Sequence, residues 1–96
     1  MSSLGPPLAA MNRRLYVGNL PAATTDTELR TRFERCGAVE SAVIVRDSAT
    51  GRSKRCGFVE MSNGAEARSA IERLNMTQYE DVVMSVSAAQ PEEQAR

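Results

Sequence analysis

Along the 96 residues, apolar and polar positions follow two periods in turn. Between Arg14 and Leu20, Leu15 and Val17 alternate with Tyr16 and Gly18, which predicts a strand with the aliphatic pair on one face and Tyr16 and Gly18 on the other. Pro21 ends it, because proline has no N–H to give a sheet ladder. Thr25 and Glu28 then have the spacing of a capping box, and Leu29, Phe33 and Cys36 fall at i, i+4 and i+7, so a helix with one core face is expected before Gly37 stops it. A second strand runs from about Val39 to Arg46, with Ala42 and Ile44 inward and Val43 and Val45 outward; a bulge near Val39 would absorb the break in parity. Asp47 to Gly51 has the composition of a turn.

The stretch Lys54 to Met61 alternates again, sending Lys54, Cys56, Phe58 and Glu60 to one face and Arg55, Gly57, Val59 and Met61 to the other. Asn63 and Glu66 open a second helix, whose Ala67, Ala70, Ile71 and Leu74 form its core face. In the last strand, Val82 to Ala88, the side chains of Val82, Met84, Val86 and Ala88 oppose those of Val83, Ser85 and Ser87. Two amphipathic helices and four strands with one apolar face each specify an α+β sandwich. One domain is expected over 13–89, with a disordered leader over 1–12, rich in Ser, Gly and Pro, and a flexible polar tail over 90–96.

Tyr16 and Phe58 change this picture, because each strand points its ring away from its aliphatic residues, and a ring on the uncovered face of a sheet asks for a ligand. The other two rings, Phe33 and Tyr79, are assigned to the core. The chain has twelve basic and twelve acidic side chains and a pI near 6.3, low for a nucleic-acid binder, so any positive field is local. It concentrates where Arg46, Arg52, Lys54 and Arg55 face Asp47 alone, and at Arg13 and Arg14.

The chain contains no histidine and only two cysteines, which excludes the usual zinc signatures, a Cys-x-x-Cys redox pair and histidine-based catalysis. Cys36 is expected in the core and Cys56 on the open face, both as thiols. No catalytic residue, metal site or cofactor is expected. Asn75-Met76-Thr77 fits a glycosylation acceptor pattern but reads as a helix end. No apolar run approaches the length of a membrane span, so no membrane partner is expected, and a cytoplasmic location is the expectation.

The hexapeptide Leu15-Tyr16-Val17-Gly18-Asn19-Leu20 and the octapeptide from Lys54 to Met61 resemble the paired signatures of the RNA-recognition-motif family. The hexapeptide matches throughout. The octapeptide keeps Lys54, Gly57, Phe58 and Val59, but has Arg55 where the family usually has glycine, Cys56 where it has an aromatic, and Met61 where a third aromatic is common. Its ending, Phe58-Val59-Glu60-Met61, reads closer to the small single-domain members found in bacteria.

The resemblance covers about Arg14 to Ala89 and implies a ferredoxin-like βαββαβ sandwich, a four-stranded antiparallel sheet with two helices on one face, in which Tyr16 and Phe58 are neighbours. It implies binding of single-stranded RNA by base stacking on those rings, with low sequence specificity and a role in post-transcriptional regulation. Lys54, Arg52 and Arg55 are expected at phosphates. Asn19, Cys56, Val43, Val45, Glu60, Ser85 and Ser87 complete the expected binding face, with Glu60 either repelling phosphate or accepting from a base amino group. The loss of a third ring at Cys56 implies weaker binding than in a three-ring member. Single-stranded DNA is a second candidate ligand, and a monomer is expected.

Two readings compete. A protein-docking module on the same fold would carry Arg-x-Phe before the last strand and an acidic first helix, whereas here that loop reads Met76 to Asp81, and Asp26, Glu28 and Glu34 are balanced by Arg30, Arg32 and Arg35. An acylphosphatase-type hydrolase would need a glycine-rich phosphate loop with a following arginine, and no such segment is present.

Overall fold

The structure, a computed structural model, describes residues 13–89; the expected leader and tail lie outside the described residues. Strands β1 (Arg14–Gly18), β2 (Val39–Arg46), β3 (Ser53–Met61), β4 (Thr77–Tyr79) and β5 (Val82–Ala88) alternate with helices α1 (Asp26–Glu34) and α2 (Gly64–Leu74). The strands form one antiparallel sheet in the order β2-β3-β1-β5-β4, so β1 and β3 are central neighbours.

The sheet thus has five strands where four were expected. Thr77 to Tyr79 pairs with Met84 to Val82 across a two-residue turn at Glu80 and Asp81, with Glu80 in the left-handed region at φ 58°. Three residues are too short to display a period, and a glutamate is an uncommon signal for a positive-φ turn position. The hairpin buries Tyr79, and Phe33 is likewise buried, as expected of both rings.

The core lies between the sheet and the two helices. Leu15 and Val17 from β1, Ile44 from β2, Val59 and Met61 from β3, Met84 and Val86 from β5, Leu29 and Phe33 from α1, and Ala67 and Ala70 from α2 are all buried in one cluster. At the start of α1 the capping box is complete: Glu28 N–H donates to Thr25 Oγ1, and Thr25 N–H to the Glu28 carboxylate, each at 3.1 Å. Asp26, next to that cap, accepts from Ile44 N–H at 2.8 Å and ties the helix to β2. The helix ends at Glu34, so Cys36 lies beyond it, half-buried against the core rather than within it. In α2, Asn63 caps Glu66 N–H, and Asn75 closes the helix while accepting from Val86 N–H, the structural role expected of it.

Two bulges shape the long β2–β3 hairpin. One falls between Val39 and Ser41, where the parity break required it. The other lies in β3: Ile44 pairs with Gly57 but Arg46 with Ser53, which leaves Lys54, Arg55 and Cys56 opposite Val45 alone. Arg55 takes φ 64° there and is exposed, so the expected alternation holds only from Cys56 to Met61, and Arg55 is not on the helix-covered face. In β5, Ala88 is exposed and Ala89, just past the strand, is buried, so the two-residue period lapses at the strand's last residue.

Candidate nucleic-acid interface

Tyr16 and Phe58 are direct cross-strand partners on the face away from the helices. Their rings meet edge to face, with centroids 5.7 Å apart and planes inclined by 64°. The register continues the row to both sides, since Val43 opposes Phe58 and Ser87 opposes Tyr16. A line Val43, Phe58, Tyr16, Ser87 therefore crosses four strands, with Val43 47% and Tyr16 38% exposed. Val45 and Ser85 are half-buried beside it.

Gly18 allows the Tyr16 ring to lie along its strand. A Cβ at that position would stand 3.2 Å from Tyr16 Cε2 and 2.9 Å from Ser85 Oγ. The neighbouring Cys56 side chain, followed by partial burial, holds the Tyr16 pKa above its ordinary value. Cys56 is a half-buried free thiol, on the open face as expected. Gly57 serves the other side of the sheet: a Cβ there would come within 2.6 Å of the Val43 carbonyl and 3.0 Å of Leu29 in α1.

Several expected ligand residues are already engaged. Glu60 accepts from Arg13 at 2.6 Å, and Arg13 also reaches Glu40 at 3.6 Å, so the acid on the open face is neutralised within the fold. Asn19, at φ 60°, donates its amide to the Val83 carbonyl at 2.7 Å and ties the end of β1 to β5. Sequence reasoning counted Arg14 in the local positive field but did not place it on the binding face. Its guanidinium carbon lies 4.7 Å from the centre of the Phe58 ring, and the available signal was its parity with Tyr16.

The basic residues gather at the end of the β2–β3 hairpin. Arg46, Arg52 and Arg55, with Ala22, Gly51 and Ser53, line an open concavity of 510 Å³. Among the described residues none of these three guanidinium groups makes a salt bridge or side-chain hydrogen bond. The nearby acid, Asp47, accepts from Thr50 and Ala49 N–H at 3.0 and 2.8 Å, bonds that lower its pKa, with the Lys54 charge assisting. Lys54 itself is exposed. The concavity is therefore positive and open to an anion. Among the described residues no group of His, Cys, Asp or Glu is arranged to hold a metal ion.

The sequence profile described as RNA recognition motif matches residues 15–85. A small ribosomal subunit protein of Spinacia oleracea is 48% identical over 66 residues, 69% of this chain and 25% of that protein. Polyadenylate-binding protein 4 of Arabidopsis thaliana is 43% identical over 76 residues, 79% of this chain and 11% of that protein. The chain thus spans a quarter or less of the length of these relatives. These relatives are plant proteins, and others it matches come from human and chicken, so the bacterial resemblance read from the octapeptide ending finds no support. Among solved structures, the crystal structure of RNA binding protein PG1 superposes with a TM-score of 0.78 at 38% identity, covering 80% of this chain and 93% of that one. A Sex-lethal protein–RNA complex gives 0.78 at 36% identity, covering 83% and 50%.

Proposed function

The chain belongs to the RNA recognition motif family, and from that premise we propose that it binds single-stranded RNA, stacking one base on Tyr16 and a second on Phe58. The observation that carries this reading is the row of Val43, Phe58, Tyr16 and Ser87 across the uncovered sheet face. Bases of a flexible single strand have free π faces, and each stack contributes ~1–3 kcal/mol. Because the two rings are inclined by 64°, two bases stacked on them cannot remain parallel, and the strand must turn between them. The arginines of the hairpin concavity then take a phosphate, which positions the strand without reading its sequence.

Two platforms address few nucleotides, so specificity is low, and the protein acts as a monomer on RNA, with single-stranded DNA a weaker ligand. A part in post-transcriptional regulation follows from such binding. Of the expected residues, Asn19 and Glu60 contribute by holding the face in shape, since their polar groups are already paired within the fold.

The test is a titration of the isotope-labelled protein with mixed-sequence RNA octamers, followed through backbone amide signals. Movement of β1, β3 and the β2–β3 hairpin is expected. Signals that move only on the helices, or that do not move at all, would remove the stacking mechanism.

A further inference from the structure

The Phe58 platform is already occupied. Arg14, on β1, lies with its guanidinium carbon over the Phe58 ring, 4.7 Å from the ring centre. Its natural partner would be Glu60, directly across the strand pair, but that carboxylate is held by Arg13 at 2.6 Å. Among the described residues Arg14 makes no salt bridge, and its Nε is buried without a hydrogen-bond partner. Buried N–H donors are nearly always paired, so an unpaired one asks for a reason. The backbone here is fixed, since the Arg14 carbonyl accepts from Ala89 N–H at 2.8 Å, which leaves the side chain as the part able to move.

We propose that Arg14 is an exchangeable cover on the Phe58 ring: a base of the bound strand displaces the guanidinium, and the released group moves to a phosphate of the same strand. This rests on the RNA-binding reading above and adds a step to it. A cation over an exposed aromatic ring is worth about 2- to 5-fold in an equilibrium constant, whereas a base stack is worth about 5- to 150-fold. The base therefore wins the ring, at a reduced net gain. The guanidinium exchanges a ring and an unpaired Nε–H for a charged oxygen acceptor, a better match to its planar fork. In the free protein the cover shields an apolar ring that would otherwise be bare. Among the described residues Tyr16 has no such cover, and it is the platform open to the first base.

The Arg14 Nε–H resonance tests this directly, because a proton above a ring face is shifted upfield. In the free protein that shift is expected, and Phe58→Leu should abolish it. At saturation with a mixed-sequence RNA octamer the resonance should leave its upfield position and move downfield as the group meets phosphate. If it keeps its upfield position while Tyr16 and Phe58 signals move, the cover does not lift, and this proposal falls while RNA binding stands. If Tyr16 and Phe58 do not respond, RNA binding falls and the exchange with it. A double-mutant cycle gives a second readout: Phe58→Ala should cost about 2- to 5-fold more affinity in an Arg14→Gln background than in the native one. Equal costs in the two backgrounds would overturn the exchange.

Discussion

Tyr16 and Phe58 meet edge to face at 5.7 Å, and neither ring belongs to the cluster that fills the space under the helices. Their energetic roles in folding and binding are therefore separable. Tyr16→Ala should weaken binding of a short single-stranded RNA by ~1–3 kcal/mol, and Phe58→Ala by less, because the base on Phe58 must first displace Arg14. Removing the packing of one ring against the other should cost only ~0.5–1.5 kcal/mol of stability beyond area burial. Calorimetric titration beside circular-dichroism melting gives both quantities, and a variant that fails to fold, or one with native affinity, would contradict the assignment of that ring.

The Asn19 amide reaches Val83 at 2.7 Å from a left-handed backbone position. Asn19→Ala should destabilise the domain by ~1–2 kcal/mol, from one missing hydrogen bond and the strain of a Cβ without local compensation. Asn19→Gly should recover the strain and lose only the bond. RNA affinity of the folded Asn19→Ala protein, measured by fluorescence anisotropy, should stay within a few-fold of native. A large fall in affinity at unchanged stability would make Asn19 a reader of the strand instead of a clasp between β1 and β5.

Arg55 occupies φ 64°, a conformation in which glycine is free of strain and an arginine is not. Its position opens onto the concavity shared with Arg46 and Arg52. Arg55→Gly is therefore expected to raise stability by ~1 kcal/mol in denaturant melts while weakening RNA binding. For each phosphate that Arg55 neutralises in the native complex, the slope of log affinity against log salt should become shallower by about 0.7 in the variant. An unchanged salt slope would take Arg55 out of the phosphate site.

These cases mark where the sequence was legible and where it was not. Regular periods were readable: Leu15, Val17 and Val59 are buried because a two-residue alternation can only be satisfied against one covered face, and the Thr25–Glu28 box announced α1 by its spacing. The Tyr16 and Phe58 pair followed from the same alternation. The failures lie where the period breaks or where side chains choose among partners. The bulge at Arg55 is a local change of conformation with no hydrophobic signature, since Lys54, Arg55 and Cys56 could each face solvent in any phase. Glu60 could have paired with Arg13 or Arg14, and its choice of Arg13 decides that Arg14 lies over Phe58. The third failure, β4, was invisible because three residues carry less than two full periods.

Cys56 stands at the family's aromatic position and acts on the titration of the platform tyrosine, which gives that substitution a spectroscopic handle. Cys56 is the largest cause of the raised Tyr16 pKa, with burial next. A raised pKa on an acid means that the fold favours the neutral phenol. The corresponding contribution to stability is fully present below the ordinary tyrosine value of 10.0 and is lost as pH rises through the higher folded value. Cys56→Ala and Cys56→Ser both remove the ionisable thiol, the leading cause, so the absorbance titration of Tyr16 should move down toward its ordinary value in each. RNA affinity at neutral pH should change little in either, because the phenol is neutral there with or without the thiol. Cys56→Tyr should behave differently, placing a ring beside Tyr16 on the open face and raising affinity. The gain should stay below the ~1–3 kcal/mol of a full base stack, because the new side chain loses rotamer freedom on binding. Anisotropy titrations and melts of the three variants decide the matter: if Cys56→Ser and Cys56→Tyr both lower the melting temperature sharply, Cys56 is a packing residue, and the face cannot accept a third ring.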